Sequence, residues 1–327
     1  MNERPVTPRI DGIHHVTAVA GNPQPNLDFY VSFLGLRLVK RTVNFDDPGS
    51  YHFYYGNETG QPGTIMTFFP WPGARSGRHG TGQVTATAFA VPVGSLGYWK
   101  ERATRMSFVA TEQPARFGQE LLRVEDGDGL VVELIASTSP GKTERPDGVD
   151  IPAESEIQGI HSATLNEQID TKTVELLTKT MGFRETGREG DRIRFEVGEG
   201  GPTRIVDVLV TPAGPRGLGG AGTVHHIAFR TPDDMHQQRW QEVLMAGGHQ
   251  VSPVMDRNYF HSIYYREPGG ILFEIATDPP GFLIDESLET LGMHLKLPAQ
   301  YEAMRSQIEA ALPVITVPVS AGAAESY

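Results

Sequence analysis

The run Ile13-His14-His15-Val16-Thr17-Ala18 returns near the other end of the chain as Val224-His225-His226-Ile227-Ala228-Phe229. Both runs alternate around β-branched residues, which is the pattern of a strand. A repeat constrains a fold more than local propensity does, because every copy must adopt the same supersecondary unit. The surroundings extend the match. After the first run come helix-spaced apolar residues (Leu27, Phe29, Tyr30, Phe33, Leu34) and a glycine stop at Gly35. Three strand-like runs follow, LRLVKRTVNF, YHFYYG and TIMTFFP, so the order is βαβββ.

The unit occurs four times. QVTATAFAVP leads into the helical SLGYWKERATR and ends in LVVELIA. GIHSATL leads into DTKTVELLTKTMGF, RIRFEV and RIVDVLVTP. VHHIAFRTP leads into PDDMHQQRWQEVLMAGG, YFHSIYYRE, the turn PGG and ILFEIAT. Segment 137–158 is rich in Pro, Ser, Gly and charge and reads as a linker. The expected organisation is an N-terminal domain over 1–136 (modules one and two) and a C-terminal domain over 159–280 (modules three and four). Residues 281–327 then hold one more helix, near 298–312, and a small-residue tail expected to be disordered. The fold class is α+β. Four βαβββ units resemble the vicinal oxygen chelate superfamily. That resemblance implies modules paired into two curled mixed β-sheet cups, one of them around a metal.

Composition limits the chemistry. The chain of 327 residues has no cysteine, so a metal can sit only on His, Asp or Glu, and disulfides and thiolate chemistry are excluded. A formal net charge of −12 argues against nucleic acid and anionic membranes as partners. The opening MNERPVTPRIDG has no apolar core of a secretory signal, and no apolar run reaches membrane-spanning length. A cytoplasmic protein is expected, with homo-oligomerisation left open.

Laying the copies over one another selects three residues. In the first strand, the second histidine is present as His15 and His226, with Ala86 and Ser162 in the other two modules. In the last strand, the acidic position holds Glu274, Glu133 and Thr67, and Asp207 lies nearby in module three. Successive strand side chains point to opposite faces, so one histidine of each pair is expected to face inward. If modules one and four share a cup, His15, His226 and Glu274 converge. Two imidazoles and a carboxylate suit non-haem Fe(II), and Mn(II) accepts similar ligands. A carboxylate inside ILFEIA is costly unless paired or metal-bound. Glu133, with no histidine partner in its module, reads as a hydrogen-bonded structural residue or a relic, and His161, which aligns with the first histidine of each pair, as structural or vestigial.

The stretches IHHVTAVAG, LRLVKRTVNFDDPGSYHFYYGNETGQPGTIMTFFP, ARFGQE, HHIAF, DRNYFHSIYYREPGGILFEIAT, DPPGF and SLETLGMHLKL resemble one subgroup of that superfamily. It comprises the ring-cleaving dioxygenases typified by 2,6-dichlorohydroquinone 1,2-dioxygenase. The resemblance implies Fe(II) on His15, His226 and Glu274, and His14, Thr17, His225, Arg257 and Tyr264 around the substrate. A histidine base helps a phenol lose its proton, an arginine holds negative charge on oxygen, and Tyr264 can donate a hydrogen bond. The implied partners are a small aromatic substrate, hydroquinone or catechol, and O2. Three rival readings are a catechol extradiol dioxygenase, a glyoxalase-type isomerase or lyase, and a binding protein without turnover. Thr67, where such an isomerase carries a second carboxylate, disfavours the isomerase.

Overall fold

The computed structural model describes residues 7–138 and 150–318. Most of the small-residue tail and the middle of the linker (139–149) lie outside the described residues. Module one runs β1 (Ile13–Ala20), α1 (Pro23–Leu27) continued by a π-helical turn (Asp28–Phe33), β2 (Arg37–Asn44), β3 (Asp47–Gly56) and β4 (Ile65–Pro70). Module two runs β5 (Gln83–Pro92), α2 (Leu96–Arg105), β6 (Ala110–Arg116), β7 (Gln119–Glu125) and β8 (Val131–Ser137). Module three runs β9 (Ile160–Glu167), α3 (Thr171–Glu175) with a second π-helical turn (Leu176–Thr180), β10 (Arg184–Glu189), β11 (Arg192–Glu196) and β12 (Ile205–Val210). Module four runs β13 (Thr223–Thr231), α4 (Asp234–Ala246), β14 (Met255–Asp256), β15 (Phe260–Arg266) and β16 (Leu272–Pro280). The α+β repeat is therefore as expected. Sequence pattern did not single out β6, β7 or β10. The edge strands β6 and β10 are mostly exposed and nearly devoid of apolar residues, so no alternation marks them.

Two eight-stranded mixed sheets result, ordered β14-β15-β16-β13-β1-β4-β3-β2 and β10-β11-β12-β9-β5-β8-β7-β6. Modules one and four share the first sheet, and modules two and three share the second. Each sheet thus takes one module from 1–136 and one from 159–280. The antiparallel seams β1/β13 and β5/β9 are their centres.

The two inter-module connections make this exchange by running alongside each other in opposite directions between the sheets, joined by bridges Ser76↔Ala221, Arg78↔Leu218 and Thr81↔Arg216. Their contact is tight. A Cβ on Gly80 would lie 2.3 Å from the Pro215 carbonyl oxygen, and one on Gly220 2.4 Å from that of Arg75. Only glycine lets the backbones approach so closely.

The helices of modules one and two pack against each other. Phe33 meets Trp99 and Phe108. The buried Arg102 guanidinium donates to the carbonyls of Phe33 and Ser32 at 2.8 and 2.6 Å, satisfying the end of the first π-helical turn. Beyond β16 the chain returns over module one. Phe282 packs on Tyr54 and Tyr259. The fully buried Lys40 ammonium sits 2.5 Å from Asp285 and 2.6 Å from Glu286. A 3-10 turn (Ala299–Met304) and α5 (Arg305–Ala311) then occupy the place where a last helix was expected.

Candidate metal centre and cavity

The first sheet places the repeated histidines on its central seam. His15 pairs with Ala228 and Thr17 with His226 across β1/β13, and Glu274 pairs with Ala228 across β13/β16. His15, Ala228 and Glu274 therefore lie in one row. The small Ala228 side chain leaves room above it for the flanking imidazole and carboxylate. His226, two residues from Ala228 on the same strand face, completes the group.

Simple alternation does not describe the histidine pairs. The β1/β13 ladder shifts register between Ile13 and His15 and again between Thr17 and Ala18, where the partners step from His226 to Val224. His14 and His225 are thus the extra residues of two β-bulges, which re-aim side chains that a regular strand would send to the far face. In both pairs the rings are 5.1 Å apart and nearly perpendicular. His14 Nδ1 lies 2.9 Å from His15 Nδ1, and His225 Nδ1 lies 2.8 Å from His226 Nδ1. The bulges belong to the repeat: β5/β9 shifts around Thr85 and His161, and His161 Nδ1 contacts Ser162 Oγ at 3.0 Å.

Three donor atoms converge. His15 Nε2 and His226 Nε2 are 3.3 Å apart, and Glu274 Oε2 lies 3.4 and 2.9 Å from them. Edges near 3 Å are what adjacent ligands subtend about a cation at roughly 2.1 Å. All three residues are buried, and among the described residues they form the one group of three or more His or carboxylate side chains with this spacing. Glu274 Oε1 accepts a short hydrogen bond from Ser262 Oγ, whereas Oε2 is buried with no conventional hydrogen bond. A buried, orphaned carboxylate oxygen facing two imidazole nitrogens fits a bound cation. Burial would raise the Glu274 carboxyl, but the two imidazoles override it and hold it well below the usual range. Burial lowers His226, against the pull of Glu274. A neutral imidazole and an ionised carboxylate are the metal-ready forms.

A cavity of about 220 Å³ opens on this group, lined by His15, Thr17, Asn44, Phe45, Asp46, His52, Tyr54, Phe69, Trp71, His225, His226, Arg257, Phe260, Tyr264 and Leu272. Of the residues expected around a substrate, Thr17, His225, Arg257 and Tyr264 line it. His14 does not; it is buried behind His15 against Phe260. Arg257 Nε donates to Tyr264 Oη at 3.2 Å, and its Nη1 lies 3.6 Å from the exposed Asp46. Burial raises the Tyr264 phenol, helped by Glu274, so it remains protonated.

The expectation of a histidine base needs adjustment. With a cation on Nε2 of His226, its Nδ1 carries the proton and donates to His225 Nδ1. A neutral His225, whose pKa burial pushes down to about 4, then presents Nε2–H as a donor. Sequence reading missed His52 and Tyr54 on the cavity wall, and Ser262 beneath Glu274. The alternation of YHFYYG, which puts His52 and Tyr54 on one face, was the signal for the first two.

The second sheet holds the matching positions without the site. Register aligns Ala86 with His226, Ser162 with His15, and Glu133 and Asp207 with Glu274 and Thr67. It thereby fixes Asp207, whose alignment by sequence was ambiguous. Arginines occupy this centre. Arg116 grips Glu133 through two bonds of 2.6 and 2.7 Å. Arg194 grips Asp207 at 2.8 and 3.0 Å, and Arg192 adds a contact at 3.3 Å. Glu133 and His161 are structural here, as their sequence setting suggested.

Comparison with known proteins agrees with this geometry. The profile of the Glyoxalase/Bleomycin resistance protein/Dioxygenase superfamily matches residues 12–134 and 159–275. A Bacillus subtilis (strain 168) protein named "Putative ring-cleaving dioxygenase MhqO" is 49% identical over 301 residues, covering 92% of this chain and 95% of that one. A Sphingobium indicum protein named chlorohydroquinone/hydroquinone 1,2-dioxygenase is 37% identical over 310 residues, covering 92% and 95%. Maize glyoxalase I shares the fold, with a TM-score of 0.64 at 12% identity over 88% of this chain and 98% of that one. Four repeated modules, two curled sheets and a profile spanning both halves lead to one assignment: the chain belongs to the glyoxalase/bleomycin resistance protein/dioxygenase superfamily, also called the vicinal oxygen chelate superfamily.

Proposed function

We propose that the protein is an Fe(II)-dependent ring-cleaving dioxygenase acting on a hydroquinone-type substrate with O2. The observation that carries this reading is the three-donor group His15, His226 and Glu274, with its open side facing an aromatic-lined cavity. The names of the relatives from Bacillus subtilis and Sphingobium indicum support it. Thr67, buried where a four-ligand isomerase would carry a carboxylate, supports it as well.

When bound, Fe(II) supplies the electron transfer that lets dioxygen react with a phenolate. The residues of the chain do the rest. Phe69, Trp71 and Phe260 hold an aromatic ring and exclude water. Arg257, fixed by Tyr264, and His225 Nε2–H offset negative charge on substrate oxygen. The proton of the phenol is released to solvent as its anion binds.

Protein purified and loaded with Fe(II) under argon should consume O2 on addition of a hydroquinone, and should incorporate label from 18O2 into a ring-opened product. A parallel catechol series separates the catechol reading from this one. No uptake with either series by iron-loaded protein refutes the proposal. Mn(II)-loaded protein tests the identity of the metal.

A further inference from the structure

Four polar side chains on adjacent strands of the first sheet form one continuous line into the cavity. Tyr54 Oη lies 3.0 Å from His52 Nδ1. His52 Nε2 lies 3.0 Å from Thr67 Oγ1, which lies 2.8 Å from Thr17 Oγ1. The ladder holds them in place: Tyr54 pairs with Thr67 across β3/β4, and Thr67 with Thr17 across β4/β1. Thr67 and Thr17 are essentially buried, and Thr17 stands beside His15 and His226 at the cavity wall. Resting on the phenol-binding function above, we propose that this line is a one-way hydrogen-bond chain that fixes the Thr17 hydroxyl as a donor toward the oxyanion of a phenol bound in the cavity. Tyr54, His52 and Thr67 act as positioning residues.

The direction follows from counting protons. The Tyr54 ring packs against Tyr259, Phe260 and Phe282, its side chain is buried, and among the described residues the hydrogen-bond partner of its Oη is His52 Nδ1. A phenol is a stronger donor than an alcohol, and a buried donor must find an acceptor. Tyr54 therefore donates to Nδ1. That requires the Nε2–H tautomer of His52, which donates to Thr67 Oγ1. Thr67 has one proton left, and Thr17 Oγ1 is the acceptor for it. Thr17 Oγ1 thus accepts from Thr67, and among the described residues no other acceptor meets its own proton, which points into the cavity. Burial holds the His52 imidazole neutral and the Tyr54 phenol protonated, the forms the chain needs. With Arg257, which also lines the cavity, the Thr17 hydroxyl offers a donor to an anionic oxygen. Such a cavity selects a phenol as its anion.

The test is a titration of 4-nitrophenol, which absorbs differently as phenol and phenolate, into Fe(II)-loaded protein under argon. The wild type should bind the yellow anion and lower its apparent pKa. Thr67→Val and Tyr54→Phe keep side-chain shape but interrupt the chain. At equal iron content each should weaken nitrophenolate binding on the order of tenfold, the usual worth of a hydrogen bond to a charged group. Thr67→Ser, which keeps the hydroxyl, should bind as the wild type does. Unchanged nitrophenolate affinity in both Thr67→Val and Tyr54→Phe overturns the chain while leaving the phenol-binding reading intact. Failure of the wild type to bind nitrophenol in either form overturns both.

Discussion

Glu274 and Glu133 occupy equivalent places in the two sheets, and exchanging each for glutamine should separate their roles. Glu133 is held by two charge-assisted bonds from Arg116, with side-chain exposures of 7% and 13%. Removing one partner of a buried pair costs about 3–5 kcal/mol, because a desolvated charge is left behind. Residual exposure of Arg116 puts Glu133→Gln near the lower end, about 3 kcal/mol. That loss should appear as a lower urea midpoint at unchanged slope. Metal content, read by mass spectrometry of protein loaded with Fe(II) under argon, should stay at one ion per chain. The double change Arg116→Met/Glu133→Leu should recover most of the loss, since no unpaired charge remains. Glu274→Gln should do the reverse. It removes the anionic ligand, and metal affinity should fall by more than the roughly 10–100-fold lost with an outer partner of a ligand. If Glu133→Gln releases the metal, or Glu274→Gln retains it at wild-type affinity, the assignment of one metal-ready and one arginine-filled centre is wrong.

Two further outcomes follow from buried charge elsewhere. Lys40→Met should destabilise the protein by about 3–5 kcal/mol by leaving Glu286 and Asp285 without their cation, and limited proteolysis should then cut first within 281–297. Glu167 is buried, and burial, followed by the nearby Glu267 carboxylate, pushes its pKa up to about 8. The folded state therefore holds a proton that the unfolded state releases near the ordinary carboxylate range, so stability is full below that range and falls as pH rises toward 8. Glu167→Gln should flatten this decline, leaving the variant more stable than wild type at pH 9 in thermal unfolding, with the difference vanishing near pH 4.

Much of the site was legible because the repeat carries its own alignment. Apolar periodicity located all four modules, and comparing copies selected His15, His226 and Glu274 without any tertiary information. The same comparison marked Thr67, Ser162 and Ala86 as the positions where a ligand is missing. His52 and Tyr54 were legible in principle through the alternation of β3, but nothing local distinguishes a cavity wall from a core face. The arginines of the second sheet were not legible, because Arg116, Arg192 and Arg194 lie in strands with no partner acid close in sequence.

What the sequence determined by itself was the unit, its fourfold recurrence and the residue types available to a metal, since side-chain periodicity and the absence of cysteine are local properties. Tertiary structure alone decided which modules share a sheet, through two glycine-lined connections that run side by side at backbone contact distance. It also decided the reach of the paired histidines. A bulge is a mismatch between two strands, so neither strand alone specifies it, yet it brings each Nδ1 against its neighbour, leaving His225 at the cavity and His14 behind it.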